Sequence, residues 1–403
     1  MNLETLKKDF FDVFTTKKSV LKNNFRRIFK NRDKSFVYFS PGRVNLIGEH
    51  IDYNGGKVMP LAIDSGTFGV IAKRSDQTIR LYSKNYAKEG VSLFENGHFS
   101  KKDRPSWTAY VIGVVFALSK RGILLPNGFD LWLYGNLPSG AGLSSSASVE
   151  MLTAFALNDQ FRLKLTMLDL VKIAREAENH YVGVQCGIMD QFAIGFGEKD
   201  KAILLDTNTL EYEYVPLKLP EMKIVIINSN KRRELAESKY NERLDECKLA
   251  LSLLQKEGVA IRNLCDLTPE DLSKNLHLFN TRLRKRVRHV VTENDRVKKA
   301  VRALSEGDLL TLGKLLNTSH VSLRDDYEVT GRELDEIILA AWASGSHGAR
   351  MTGAGFGGCA IALVKTLEIP AFRRRVLKHY KRIIGYTPSF YIASPSGGVR
   401  LIG

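Results

Sequence analysis

Apolar positions in this chain recur at two spacings, and the switches between them mark out its elements. Short apolar or alternating runs at 36–39, 58–63, 67–72, 78–83, 202–205, 223–228 and 359–364 predict strands. The polar groups Asp64-Ser-Gly66 and Arg74-Ser-Asp-Gln77 read as turns between the early ones. Helical spacing governs the rest. Residues 3–30 predict two short amphipathic helices, the first with Leu3, Leu6, Phe10 and Phe14 on one side. Further helices are predicted over 107–118, 167–181, 237–256, 282–304, 309–323 and 334–343. A chain of 403 residues exceeds one ordinary core. The helix-rich middle points to a second domain that begins near 205–220, and no repeat, low-complexity tract or flexible linker interrupts the chain.

One stretch joins the two spacings. Over 131–155, Leu131, Leu133 and the aromatics between and beside them predict a strand, Pro138 and two glycines break it, and helical spacing starts at Ser145. A helix therefore begins inside the run Ser144-Ser-Ser146. The first turn of a helix leaves N–H groups without intrahelical partners and carries partial positive charge, so a glycine-rich approach lets a phosphate sit on it. Serine hydroxyls add donors to phosphate oxygens, and one can ligate a magnesium ion. An ordinary serine N-cap after a glycine turn leaves the same trace, and Gly and Ser alone do not choose between them.

Three further segments carry polar groups in excess of what folding asks. Arg43, Asn45, Glu49, His50, Asp52 and Asn54 fall within twelve residues of a turn-rich segment, 40–56. That hydrogen-bonding capacity suits a polyhydroxylated ligand, though a surface loop facing water would look alike. Glu178 follows Ala174 by four residues and sits at the edge of a buried helix face, where a carboxylate needs a metal ion or a basic partner. Asp190 is embedded among apolar residues as a helix cap or a functional acid or base. Finally, Gly353, Gly355 and Gly358 fit G-x-G-x-x-G, but they lead into a strand where a dinucleotide fingerprint must open a helix. A glycine-rich hairpin that brings backbone close to a ligand fits better.

Composition narrows the function classes. The net charge of +16 raises nucleic acid as a partner, and its densest run is Arg282-Leu-Arg-Lys-Arg-Val-Arg288. Leu283, Val287 and Val290 recur there at helical steps, so the basic residues are expected on an outward, solvated face, and no aromatics interleave with them. No nucleic-acid partner is expected, and a basic surface equally suits an enzyme that gathers anionic nucleotides. No apolar run is long enough for a bilayer and the N-terminus lacks a signal-peptide core, so no membrane partner and a cytoplasmic location are expected. Cys186, Cys247, Cys265 and Cys359 lie far apart, which suits reduced thiols and gives no Cys or His metal cluster. The P-loop G-x-x-x-x-G-K-[ST] and the protein-kinase motifs are missing.

Three segments in order, 42–56, 138–148 and 349–358, resemble the three motifs of galactokinases, members of the galactose, homoserine, mevalonate and phosphomevalonate kinase superfamily. Gly42-Arg-Val-Asn-Leu-Ile-Gly-Glu-His-Ile-Asp-Tyr53 resembles the subfamily's signature, with Ile51 where threonine is common, while the serine-rich cradle is shared across the superfamily. The resemblance implies an α+β fold of two domains, 1–212 with a mixed sheet and 213–403, with the active site between them. It implies transfer of a phosphoryl group from ATP to the C1 hydroxyl of α-D-galactose. By the same resemblance Gly140, Ala141, Gly142, Leu143, Ser144, Ser145 and Ser146 wrap the ATP phosphates, Ser83 touches the nucleotide, and Ser146 and Glu178 hold Mg2+. Glu49, His50, Asp52, Gly187, Asp190 and Tyr240 are implied to bind the sugar, with Asp190 as proton acceptor and Arg43 beside it stabilising charge. A kinase of a related sugar such as N-acetylgalactosamine, or a non-catalytic galactose and ATP sensor, are the alternatives. The chain is expected to act as a monomer.

Overall fold

The computed structural model describes residues 17–31, 33–99, 106–137, 142–231 and 236–403, with the side chains of 236 and 237 excepted. The predicted helix carrying Leu3 and Phe10 lies outside them. In chain order the first elements are α1 (Lys18–Phe29), β1 (Phe36–Asn45), β2 (Lys57–Val58), β3 (Pro60–Lys73), β4 (Thr78–Ser83), β5 (Ser92–Glu95), α2 (Thr108–Lys120), β6 (Phe129–Gly135), α3 (Ser145–Phe161), α4 (Met167–Glu176) and α5 (Met189–Phe196). There follow β7 (Lys201–Asp206), β8 (Tyr212–Pro216), β9 (Met222–Asn228), α6 (Ala236–Lys256), α7 (Pro269–Asn275), α8 (Thr281–Glu306) and α9 (Leu309–Asp325). The chain closes with α10 (Arg332–Ala343), β10 (Gly348–Thr352), β11 (Cys359–Lys365), α11 (Ile369–Ile384), β12 (Ser389–Ala393) and β13 (Arg400–Leu401).

Strand β1 is buried along nearly its whole length because both faces of its sheet are covered. Leu21, Phe25 and Phe29 of α1 pack with Val37, Val70 and Trp132 on one face, and α3 and α5 lie against the other. The sheet has six strands in the order β13-β1-β3-β6-β4-β5, antiparallel except for β4 beside β6. A four-stranded antiparallel sheet, β10-β11-β9-β12, packs against α9, α10 and α11, and a three-stranded one, β2-β7-β8, lies between. The last strand, β13, returns to β1, so the chain ends in the sheet where it began.

Two expectations change on folding. The predicted turn at 64–66 is part of β3, which runs unbroken from Pro60; β1 in turn extends to Asn45, six residues past its predicted end. The register shifts between Pro41 and Arg43, which pair with Gly66 and Ala62, so the polar triplet is accommodated as a bulge on β3 instead of a reversal. The basic face of α8 is not wholly outward either. Arg286 is 2% exposed, with Nε 2.6 Å from Glu246 and Nη2 2.8 Å from Glu328. Its charge is paired by acids from α6 and the loop after α9, a tertiary placement that helical spacing does not report. Leu283, Val287 and Val290 are buried as predicted.

Candidate active site

Arg43 lies at the inner end of β1, just past the bulge. Its guanidinium grips Asp190 at two points, Nε to Oδ1 at 2.7 Å and Nη2 to Oδ2 at 2.9 Å, and Nη1 donates to the Gly142 carbonyl at 2.6 Å. Asp190 stands in the first turn of α5. The three bonds tie the first motif to both the serine loop and the acid, which are 99 and 147 residues away in sequence. Arg43 is buried, and the carboxylates of Asp190 and Glu49 hold its charge against that burial.

The serine loop turns into α3 through Ser144, whose φ of 57° is in the left-handed region. An N-cap serine usually bonds the first turn of its own helix. Here the hydroxyl makes no cap bond and donates to Asp190 Oδ2. The N–H groups of the first turn of α3 are thereby left for an anion. Ser146, in that turn, shares the cavity wall with Glu178 and favours the charged form of its carboxylate.

Glu178 lies in a turn of π-helix, Ala177–Val182, that widens the end of α4. The carboxylate accepts from Gln191 Nε2 at 2.6 Å and from the Cys186 thiol at 3.3 Å. Among the described residues no lysine or arginine pairs with it, and its partners are the Gln191 amide and the Cys186 thiol. Burial, and then the negative charge of Asp190, push its pKa up, as for a carboxylate short of positive charge. Among the described residues no group of three His, Cys, Asp or Glu side chains could hold a metal ion by itself. One hydroxyl and one uncompensated carboxylate at a helix start do fit Mg2+, which takes few protein ligands and completes its shell with phosphates and water.

The loop after β1 carries Glu49, His50 and Asp52, and the C-terminal elements hold it. Glu293 of α8 accepts the N–H groups of Gly48 and Glu49 at 3.0 and 3.2 Å, and His289 Nε2 donates to the Glu49 carbonyl at 3.0 Å. Arg350 of β10, fully buried, pairs with the Glu49 carboxylate, which also accepts the Gly353 N–H at 2.9 Å. Gly353 has φ of 86°, and a Cβ there would lie 2.7 Å from the Gly142 carbonyl oxygen. Glycine thus lets the third motif rest on the second. Burial, with Asp190 and Glu49 nearby, pushes Asp52 up to about 7, and burial lowers His50 to about 3, so its ring is neutral.

These groups surround one cavity of about 630 Å³. Its wall contains Arg43, Glu49, His50, Asp52, Gly142, Ser144, Ser145, Ser146, Glu178, Gly187, Asp190 and Tyr240, together with Tyr110, Cys186, Gly353 and Ala354. Leu143 is buried behind the wall and its carbonyl accepts the Arg43 N–H at 3.3 Å. Ser83, at the end of β4, is buried beside Leu133 and is not in the wall. Gly140 and Ala141 lie outside the described residues. Sequence reading missed Arg350, Glu293 and His289. Arg350 lies inside the third motif, but the other two are single polar residues within a helix and nothing local marks them.

Residues 23–73 match the galactokinase galactose-binding signature, residues 109–198 the N-terminal domain of GHMP kinases and residues 298–382 their C-terminal domain. The chain is 50% identical over 400 residues to the galactokinase of Lactiplantibacillus plantarum, covering 99% of each. The chain belongs to the galactokinase family. It is 49% identical to the galactokinase of Clostridium beijerinckii, over 96% of this chain and 99% of that one. The crystal structure of Lactococcus lactis galactokinase complexed with galactose superimposes with a TM-score of 0.92 at 46% identity, covering 95% of this chain and 99% of that one. Methanococcus jannaschii mevalonate kinase, at 18% identity and a TM-score of 0.66, shares the fold. As a galactokinase-family phosphotransferase, the chain has the two-part α+β fold of GHMP kinases and uses ATP.

Proposed function

We propose that the chain transfers the γ-phosphoryl group of ATP to the C1 hydroxyl of α-D-galactose, with Asp190 and Arg43 at the reacting atoms. The observation that carries this reading is the convergence of the three motifs on one cavity, with Asp190 25% exposed between the sugar loop and the first turn of α3. Galactose lies among Glu49, His50, Asp52, Gly187, Asp190 and Tyr240, whose carboxylates accept hydroxyl protons and whose ring and backbone N–H groups donate. The triphosphate lies on the start of α3 within Gly140, Ala141, Gly142, Leu143, Ser144, Ser145 and Ser146, with Ser83 toward the nucleotide.

Asp190 accepts the C1 hydroxyl proton as the C1 oxygen bonds to phosphorus and the bond to the leaving ADP oxygen breaks. Sugar binding displaces the Ser144 hydroxyl from Asp190 Oδ2 and frees it for a phosphate oxygen. Arg43, fixed by Asp190 and the Gly142 carbonyl, orients the acid and stabilises charge beside the transferring group. Catalysis of this kind rests on alignment and charge neutralisation more than on covalent work. Ser146 and Glu178 would hold Mg2+, which neutralises phosphate charge when bound.

A coupled ADP assay with galactose, N-acetylgalactosamine and glucose, with and without Mg2+, tests the reading. Galactose is expected to give the highest kcat/KM. A preference for N-acetylgalactosamine would reassign the substrate, and sugar binding without turnover would make the protein a sensor. The cytoplasm and a monomeric state remain the accompanying proposals.

A further inference from the structure

Glu150 and Gln191 are fully buried polar side chains behind the cavity wall, and nothing in the proposed reaction uses either. Glu150 follows Ser146 by four residues on α3, so the two share a helix face one turn apart. Gln191 follows Asp190 in the first turn of α5. Its Nε2 lies 2.6 Å from Glu178 Oε2 and 3.2 Å from Glu150 Oε2, so both amide protons are spent on carboxyl groups. The amide cannot be turned over, because its oxygen would then face the Glu178 carboxylate at that short distance. In the observed orientation Gln191 Oε1 is buried without a partner among the described residues, a cost set against the two N–H bonds. The Cys186 thiol, 3.3 Å from the same Glu178 oxygen, holds it less firmly. Its single proton has a nearer acceptor in Asn179 Oδ1, at 3.1 Å. Both bonds fall on Oε2, so the carboxylate is pinned by one oxygen while Oε1 takes neither.

We propose that Gln191 is a positioning residue for the cation, whose amide fixes Glu178 in the orientation that presents its carboxylate to Mg2+ and does so without neutralising it. The inference rests on the reading of Ser146 and Glu178 as the Mg2+ ligands. A lysine or arginine in the place of Gln191 would hold Glu178 as well but cancel the charge that attracts the ion. An amide gives the hydrogen bond its direction and adds no charge, so the whole carboxylate stays available. Glu150, one turn along α3 from Ser146, takes the second amide proton and keeps the Gln191 side chain from rotating about its last torsion. The first turn of α5 thereby sets both carboxylates, Asp190 directly and Glu178 through its neighbour.

The test reads the ion and not turnover. Mn2+, which takes the same oxygen ligands as Mg2+, is titrated into protein held in excess over ADP, and the relaxation of water protons reports its binding. Gln191→Met, close to glutamine in length and shape but without the donor, is expected to weaken Mn2+ binding by about 10- to 100-fold. ADP affinity in EDTA, from titration calorimetry, should stay within about twofold of the parent. A fall in both would mark a merely structural role and overturn the proposal. In a Glu178→Gln background Gln191→Met should weaken Mn2+ further by less than about twofold, because its effect passes through Glu178. Parent Mn2+ affinity in Gln191→Met overturns the proposal, as do losses that add in the double variant. If Gln191→Met does not fold, Gln191→Asn, whose amide stops one methylene short of Glu178, is judged by the same readouts. Glu178→Gln with the parent's Mn2+ affinity would refute the metal-site reading and the inference together, whereas a weakened Glu178→Gln beside an unchanged Gln191→Met refutes the inference alone.

Discussion

Gly187 offers a way to remove Asp52 from the sugar site without touching Asp52 itself. A Cβ at position 187 would lie 1.8 Å from Asp52 Oδ2 and 2.4 Å from its Cγ, well inside contact distance. The backbone there is not in the left-handed region, so alanine brings a collision and no conformational strain. The colliding atoms are the end of a short side chain with two torsions, and they can swing aside while the turn Asp52–Asn54 keeps its place. Gly187→Ala is therefore expected to turn the Asp52 carboxylate away from galactose. Loss of a charge-assisted hydrogen bond of about 1.5–3 kcal/mol corresponds to roughly a 10- to 150-fold weaker affinity. Titration calorimetry with galactose in the absence of nucleotide measures it, and a thermal melt checks that the fold is intact. Moving Asp52 also relieves a buried carboxyl, so little stability should be lost. An affinity within twofold of the parent would refute the reasoning. A double-mutant cycle sharpens this: in an Asp52→Ala background Gly187→Ala should add almost nothing, and additive losses would show that the two residues act separately.

Other perturbations bear on the remaining parts of the site. Asp190→Ala is expected to cut turnover by several orders of magnitude while ATP still binds, measured by coupled assay and nucleotide titration; ordinary turnover would remove Asp190 from the mechanism. Arg43→Ala should lower kcat steeply, and Arg43→Lys should recover little, because lysine cannot reproduce a two-point grip on Asp190 together with the bond to Gly142. Asp52 gives a pH test. Its folded pKa, about 7, lies above its ordinary 3.8, so its contribution to stability is present below 3.8 and lost as pH rises through 7. Asp52→Asn should thus melt at a higher temperature than the parent at pH 8 and gain nothing at pH 4, and an equal shift at both would count against the burial argument. Ser146→Ala and Glu178→Gln should each raise the Mg2+ concentration for half-maximal rate, and the parent's Mg2+ dependence in either variant would dismiss that pair as ligands.

Local signals carried well where the causes were local. The long helices fell within one or two residues of their predicted ends, since a buried stripe at 3.6-residue spacing is written in consecutive positions and caps such as Asn280 before α8 lie beside it. The strand break expected at 64–66 failed for the opposite reason. Asp64-Ser-Gly66 has turn chemistry, but pairing to β1 on one side and a carbonyl from residue 394 on the other kept it extended. Arg286 looked solvent-facing because its partners, Glu246 and Glu328, come from elements 40 and 42 residues away.

The order and spacing of the three motifs, their glycines and serines, and the polar excess around Glu49 to Asp52 were set by the sequence alone, and it was the resemblance of those motifs to galactokinases that pointed to a sugar kinase. Only the folded chain decided how those groups act on one another. The Arg43 grip on Asp190, the Ser144 hydroxyl turned from its helix to that acid, the neutral His50 and the uncompensated Glu178 all depend on partners from remote elements. Charge, tautomer and desolvation are properties of neighbours in space, and residue order does not specify them until the three segments close on a common cavity.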